Sequence, residues 1–307
     1  MKKILLGISL LVLIVVGFFI SQKTEENVVT EENGADKIMA LSSFTIIADM
    51  VAEVGGDKVE SISLTKPGAN IHGYEPTPSD LVQASKAEIF FVNGLNLELW
   101  TSKLQAGIPN VPVVKTSEGV ELISIVEGPY AGKPNPHAWM SPKQGLIYIE
   151  NIRKGLTSVA PEHEAYFKER ADAYAKKLMA LDKELATALA TVPAEQRYLV
   201  TCEGAFTYLT HDYNVSEVYL WAINNESGGS PQQVVKVIDI VKSNKIPAVF
   251  CESTVSPGIQ EGVAAASGAK MGGVLYVDSL SGPEGPASTY LTLLDHTVKT
   301  IIEGLTK

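Results

Sequence analysis

The chain has 307 residues, of which 45% are hydrophobic and 20% are charged. This is the composition of a folded globular protein, long enough for two domains of ordinary size, and it excludes wholesale disorder. The formal net charge of −10 argues against nucleic acid as a partner. Phosphate binding needs clustered Lys and Arg, and no basic run follows the first three residues.

The N-terminus has the pattern of an export signal, with Lys2 and Lys3 before an apolar stretch from 4 to 20. No Ala-x-Ala cleavage site follows this stretch, and no cysteine that could carry a lipid lies nearby. We interpret residues 1–22 as a signal or anchor segment and predict that it stays attached. The acidic residues 23–36 are then a flexible tether on the outer face of the cytoplasmic membrane or in the periplasm.

Residues 37–160 are predicted to form an N-terminal α/β lobe, because short apolar runs alternate with helical patterns. The strand-like runs are 38–41, 59–64, 89–92 and 111–114. One helix start is well marked. Thr77 precedes Pro78 and has Asp80 three residues on, which combines an N-cap, a first-turn proline and a capping-box acid.

Residues 161–192 are predicted to form one long amphipathic helix that links two lobes. Its apolar residues are spaced alternately four and three apart, as is typical of one helix face. They are Phe167, Ala171, Tyr174, Leu178, Leu181 and Leu185. A coiled-coil helix is the alternative, but about three heptads are marginal for a coiled coil, so a packed spacer is favoured.

Residues 193–307 repeat the α/β pattern and are predicted to form a C-terminal lobe. Ser230 and Gln233 mark a second capping box there. The strand-like runs are 198–201, 217–220, 248–251 and 274–277. The fold class is therefore α/β, with two lobes, each a mostly parallel sheet flanked by helices, joined by a long rigid α-helix.

The two cysteines, Cys202 and Cys251, each end an apolar run and each precede a glutamate. Adjacent parallel strands lie about 4.8 Å apart, a separation that a disulfide can bridge, and export permits oxidation. The alternative is that both cysteines are reduced and packed in the core, and the sequence does not decide between these two possibilities.

Two of the five histidines lie in stiff, proline-rich loops that lack the periodicity of a core element. His72 lies in the segment 70–76, which directly precedes the capped helix at Thr77, and His137 lies between Pro136 and Pro142. A role in stabilising turns is the alternative to metal binding. The other three histidines have helical or polar surroundings and are interpreted as ordinary surface or helix residues.

Two acids follow apolar strands, Glu203 after 198–201 and Asp278 after 274–277. Function concentrates at the carboxyl edge of parallel sheets, and a carboxylate there is poorly solvated unless it meets a cation. Helix N-capping is the alternative for each. With two ligands from each lobe, two imidazoles and two carboxylates suit Mn(II), Fe(II) or Zn(II) and disfavour Cu(I).

The sequence resembles the metal-binding solute-binding proteins of ABC transporters, and within them the manganese and chelated-iron group. The segments that carry the resemblance are 67–76, 135–142, 200–206, 250–255 and 275–280. The resemblance implies two pseudo-symmetric lobes, a rigid linker helix, and one divalent metal held by His72, His137, Glu203 and Asp278. It also implies an ABC permease and its ATPase subunit as partners.

The sequence departs from this family at two points. Proteins of the family often have Asp-Pro before each histidine, where this chain has Asn70-Ile71 and Asn135-Pro136, and they are commonly lipoproteins. The zinc-selective branch typically shows a third histidine and a His-rich loop. This chain has Glu203 and no such loop, which favours Mn²⁺ or Fe²⁺ over Zn²⁺.

The predicted function is an extracytoplasmic receptor, a monomer that captures a divalent metal and delivers it to a membrane permease. A metal-dependent hydrolase with Glu252 as base is one alternative, but four converging ligands leave little room for substrate and no catalytic motif occurs. A surface adhesin with a structural metal is the other. We predict that the chain is not an enzyme and binds no nucleic acid.

Overall fold

The computed structural model describes residues 37–223 and 229–306 of the chain. The predicted signal or anchor segment, 1–22, and the predicted tether, 23–36, lie outside the described residues. Within the described part, no helix is both long and apolar enough to cross a membrane.

The first sheet contains four parallel strands in the spatial order β2-β1-β3-β4. These are β1 (Ile38–Ser42), β2 (Val59–Ser63), β3 (Ile89–Val92) and β4 (Val113–Lys115). The intervening helices are α1 (Thr45–Gly55), α2 (Pro78–Ala84) and α3 (Thr101–Gly107). Every residue of β3 is buried, as expected for a central parallel strand covered on both faces.

Strand β4 begins two residues later than the predicted run 111–114. The Val111 amide donates to the Ile108 carbonyl and so closes the turn that follows α3. The predicted start of α2 is confirmed, because Thr77 and Asp80 form the reciprocal capping box.

Two long helices follow the first sheet, α4 (Pro142–Val159) and α5 (Glu164–Leu189). The linker helix α5 has 26 residues and starts three residues later than predicted, because Pro161–His163 form a separate 3-10 turn. At 1.5 Å per residue it is about 39 Å long.

The second lobe contains two pairs of parallel strands. β5 (Tyr198–Glu203) pairs with β6 (Ser216–Trp221), and β7 (Ala248–Glu252) pairs with β8 (Lys270–Leu275). Its helices are α6 (Thr207–Tyr213), α7 (Pro231–Ser243), α8 (Gly258–Ser267) and α9 (Tyr290–Thr306). The Ser230 capping box is present at the start of α7, as predicted.

Strand β8 (Lys270–Leu275) begins four residues before the predicted run 274–277 and ends two residues before the end of that run. A Cβ atom at Gly272 would lie 2.3 Å from Cε1 of Phe250, so a glycine is required where that ring crosses β8. The apolar residues Tyr276 and Val277 therefore lie beyond the ladder.

Helix α5 packs against both lobes through its apolar face. Its buried residues are Phe167, Ala171, Tyr174, Leu178, Leu185 and Leu189. This face contacts α4 and α1 of the first lobe and α9 of the second. The observed architecture is therefore the predicted one, two α/β lobes joined by a long helix. Residues 37–307 cluster as one compact unit, so the boundaries placed at 160 and 193 stay predictions.

Cys202 and Cys251 form a disulfide that joins β5 to β7, with the two Cα atoms 5.1 Å apart. Both residues are buried in a small apolar cluster under α7 and α8. Of the two alternatives that the sequence left open, the structure contains the disulfide.

We expect the disulfide to stabilise the metal-free protein. Closing a loop of this sequence separation, 49 residues, typically contributes about 2–4 kcal/mol to the free energy of unfolding. Urea unfolding of the metal-free chain should shift to a lower midpoint on reduction, and the Cys202→Ala/Cys251→Ala double variant should match the reduced protein. An unchanged midpoint on reduction would show that the cross-link adds nothing to stability.

Candidate metal centre

The structure brings the four predicted ligands together in one buried cluster. Nε2 of His72 lies 3.5 Å from Oε1 of Glu203 and 3.6 Å from Oδ2 of Asp278. Nε2 of His137 lies 3.6 Å from Oδ1 of Asp278 and 3.3 Å from Nε2 of His72. Four donors around an ion at metal-ligand distances near 2.1 Å are separated by about 3.4 Å, so the cluster has the dimensions of a coordination sphere.

His72 is held by a turn that its own loop builds. Oδ1 of Asn70 accepts a hydrogen bond from the His72 amide at 2.8 Å. Nε1 of Trp100 donates to the carbonyl of Ile71 at 2.9 Å, and the Ile71 side chain is fully buried. The backbone from which the His72 side chain extends is therefore held by hydrogen bonds at the Ile71 carbonyl and at the His72 amide. Oδ1 of Asn70 also accepts from the Gly73 amide at 3.4 Å, so the Asn70 side chain itself forms the turn before His72.

His137 is fully buried and is held by Asn135. Oδ1 of Asn135 accepts from the His137 amide at 3.0 Å and lies 2.9 Å from Nδ1 of the same ring. An amide oxygen can only accept, so Nδ1 carries the proton and Nε2 presents its lone pair to the cluster. The departure from Asp-Pro thus leaves the histidine in place.

Glu203 is the last residue of β5, and Asp278 follows β8. Neither caps a helix. The N-cap of α6 is Phe206, and α9 begins only at Tyr290. Helix capping, the alternative that the sequence offered for both acids, is therefore excluded.

Burial dominates the electrostatics of the cluster. It lowers the pKa of His72, and it lowers that of His137 still further because His72 lies beside it. Burial also raises the pKa of Asp278, although the neighbouring His72 opposes the shift. Among the described residues, no hydrogen-bond donor reaches Oδ1 of Asp278. Neutral imidazoles and a carboxylate oxygen without a donor form a set that fits a cation.

Glu252 lies beside the cluster and forms a hydrogen bond to the backbone of Glu203. Its Oε1 accepts from the Glu203 amide at 3.3 Å, and burial raises its pKa to about 8. At neutral pH its carboxyl group therefore carries a proton when no ion is bound. Glu252 does not cap the following helix, because Pro257 occupies the N-cap of α8.

Trp139 ties the first lobe to the segment that carries Asp278. Its indole Nε1 donates to the carbonyl of Val277 at 3.0 Å, and its ring packs 5.2 Å from that of His137. Tyr290 in α9 in turn donates a hydrogen bond from its hydroxyl to the Trp139 carbonyl. The predicted ligands His137 and Asp278 are therefore both positioned by one aromatic side chain.

Sequence reasoning missed Thr207 and Glu217, which continue the contacts of Asn135 into the second lobe. Nδ2 of Asn135 lies 2.9 Å from the Thr207 hydroxyl, and that hydroxyl donates to Oε2 of Glu217 at 2.7 Å. These contacts join residues far apart in the chain, and no local pattern in the sequence indicates them.

Two α/β lobes around a buried cluster of two histidines and two acids define a metal-binding protein of the two-lobed class. Residues 41–304 match the family described as ZnuA, zinc-uptake complex component A, periplasmic. The chain is 52% identical over 270 residues to the iron-binding protein YfeA of Yersinia pestis, covering 88% of this chain and 87% of that protein.

Other relatives agree with this match. The manganese ABC transporter substrate-binding lipoprotein PsaA of Streptococcus pneumoniae is 32% identical over 314 residues, covering both chains fully. The manganese-bound periplasmic metal binding protein from Candidatus Liberibacter asiaticus superposes with a TM-score of 0.80 at 37% identity, covering 88% of this chain and all of that one.

The chain therefore belongs to the ZnuA family of periplasmic metal-uptake components. This confirms the predicted class, an extracytoplasmic solute-binding receptor of an ABC importer whose ligand is a divalent transition metal. The prediction that the protein is not an enzyme is confirmed by the same membership, and the hydrolase alternative finds no support.

Glu203 and Glu252 offer a matched pair of substitutions, since both follow a cysteine at the end of neighbouring strands. Glu203→Gln keeps the size of the side chain but removes a charged ligand, so the dissociation constant for Mn(II) should rise by more than about 100-fold. Glu252→Gln replaces a carboxyl group that is already neutral, so the change should stay below the roughly 10- to 100-fold range of residues that only support a ligand.

Isothermal titration of both variants measures the difference. Equal losses, or a larger loss for Glu252→Gln, would show that the ligand in the second lobe has been assigned to the wrong glutamate.

Proposed function

We propose that this chain captures one Mn²⁺ or Fe²⁺ ion through His72, His137, Glu203 and Asp278 and delivers it to a membrane permease. The observation that carries the proposal is the convergence of these four buried side chains, two from each lobe, at distances of 3.3 to 3.6 Å. Binding proteins of this class work with a permease and an ATPase subunit. The ion is therefore cargo that must be released again.

The donor set supports manganese or iron. Two imidazole nitrogens and two carboxylates form a borderline-to-hard set, and the two cysteine sulfurs are bonded to each other. The two oxygens of Asp278 face different histidines, so a bidentate Asp278 would supply a fifth donor. Protein zinc sites are mostly four-coordinate, whereas manganese takes more ligands. The names of the relatives, iron-binding YfeA and manganese-transporting PsaA, point the same way.

We expect the chain to bind one such ion and to unfold at higher temperature when it does. A ligand that binds only the folded state, at 1,000 times its dissociation constant, stabilises by about 4.1 kcal/mol. Thermal unfolding with and without Mn(II) measures the shift, and His137→Gln serves as the control that should lose it. Elemental analysis of protein isolated from its native envelope should find one Mn or Fe per chain. Two equivalent sites, or no thermal shift, would contradict the proposal.

We further propose that the protein works as a monomer held at the membrane by residues 1–22. The monomer is supported because all four proposed ligands come from one chain. PsaA is described as a lipoprotein, but residues 1–36 of this chain contain no cysteine, and both of its cysteines lie in the disulfide. In this proposal the apolar stretch 4–20 holds the protein at the membrane, in place of a lipid attached to a cysteine.

Retention of this segment is testable by mass. The protein extracted from membranes should have the mass of a chain that keeps its apolar stretch, because no Ala-x-Ala site follows that stretch. Intact-protein mass spectrometry measures this directly. A mature chain that begins anywhere after Gly17 would contradict the anchor, and soluble protein of that mass in the periplasm would identify a cleaved signal.

A further inference from the structure

Asn135 contacts the ligand His137 with its oxygen and the second lobe with its nitrogen. Nδ2 donates to the carbonyl of Gly204 at 2.6 Å and to the Thr207 hydroxyl at 2.9 Å. The Gly204 carbonyl can only accept, so the nitrogen end of the amide must face the second lobe. The oxygen end must then face His137, where it accepts the proton on Nδ1.

Thr207 forms the next hydrogen bond of this series, further from the cluster. Its hydroxyl accepts from Asn135, and its single proton has two possible acceptors, Oε2 of Glu217 at 2.7 Å and the more distant Gly204 carbonyl at 3.4 Å, of which the nearer is Glu217. The amide of Phe206 donates to Oε1 of the same carboxyl group at 3.0 Å. Glu217, in β6, therefore forms the far end of a directed chain of hydrogen bonds that ends at the ring of His137.

His72 has no equivalent support. Its Nδ1 is buried, and none of the described residues forms a hydrogen bond with it. The turn at Asn70 fixes only the backbone of His72. The two proposed ligands therefore differ, because the proton of one ring is placed by the protein and the proton of the other is not.

We propose that Glu217 and Thr207 are positioning residues that act through Asn135 to hold His137 with its proton on Nδ1 before the metal arrives. The inference rests on the proposed function in one respect, that His137 is a ligand. Asn135 belongs to the first lobe, and all its nitrogen acceptors belong to the second. The full set of contacts that directs the lone pair on Nε2 at the ion is therefore made only while the lobes are together. Separation of the lobes would remove both acceptors of the Asn135 nitrogen and leave its oxygen bonded only within its own loop, to the amide and ring of His137.

The tautomer of His137 tests the chain of hydrogen bonds without any metal. Nitrogen NMR of the full, metal-free chain labelled with ¹⁵N-histidine distinguishes Nδ1–H from Nε2–H, and a His137→Gln variant assigns the resonance. The wild type should show a single Nδ1–H form. Thr207→Val leaves the Gly204 carbonyl as the remaining acceptor of the Asn135 nitrogen, so the amide should be held less firmly and a minor Nε2–H form should appear beside the Nδ1–H form. Thr207→Ser, which restores the hydroxyl, should return the wild-type spectrum.

Thr210 provides a matched control in the same helix. It is buried, and among the described residues its hydroxyl donates only to the backbone carbonyls of Phe206 and Thr207. Thr210→Val therefore removes an equivalent hydroxyl that has no contact with Asn135. It should leave the His137 tautomer and the Mn(II) affinity unchanged, whatever it does to stability.

Metal affinity provides the second measurement. Thr207→Val should weaken Mn(II) binding about fivefold, the equivalent of one ordinary hydrogen bond. Glu217→Gln should have a similar effect. The amide of Phe206 requires the oxygen of the new side chain, so its NH₂ group would face the Thr207 hydroxyl and displace the donated proton.

The two measurements separate this inference from the proposed function. If the wild type binds no Mn(II), the proposed function fails, and the tautomer spectra still decide whether the hydrogen-bond chain acts on His137. If Thr207→Val keeps the single Nδ1–H form, if Thr207→Ser does not restore it, or if Thr210→Val changes it equally, the inference is wrong.

Discussion

The structure depends on one constraint, the burial of four ionisable side chains at a single point between two lobes. Moving an ionised carboxylate out of water costs several kcal/mol even after the protein relaxes, unless an opposite charge replaces the lost water. The pKa of Asp278 is accordingly raised, and the pKa values of His72 and His137 are lowered. A divalent cation removes both penalties at once, because it compensates the carboxylates and uses the lone pairs of neutral imidazoles.

Such a cluster can exist without an ion only if the surrounding backbone holds the side chains in place. The described residues provide this through contacts that involve few flexible groups: the turn at Asn70, the indole of Trp100 on Ile71, and the indole of Trp139 on Val277. Each joins a rigid side chain to a backbone atom next to a proposed ligand. Helix α5, packed on both lobes, limits how far the two halves can move.

Much of the site could be predicted, because its signals are local. A histidine between two prolines, or directly before a capped helix, has few structural explanations, and an acid that ends an apolar strand lies at the functional edge of a parallel sheet. The neighbours of those residues could not be predicted. The contact between Asn135 and Thr207 exists only because the lobes meet. The glycine at position 272 of β8 is needed because the Phe250 ring packs over it, a contact that the sequence does not show. The disulfide was undecidable for the same reason, since the sequence does not show that β5 and β7 are adjacent.

The two Cys-Glu pairs show how similar local sequences acquire different chemistry. The disulfide holds β5 and β7 together, so Glu203 and Glu252 lie side by side, and both are buried. In the metal-free protein, burial raises the pKa of Glu252 to about 8, and the nearby carboxylate of Asp278 raises it as well. Glu252 therefore keeps its proton at neutral pH when no ion is bound. The two carboxylates of the proposed site, Glu203 and Asp278, would match the charge of a divalent ion, and a neutral site is the one that burial penalises least.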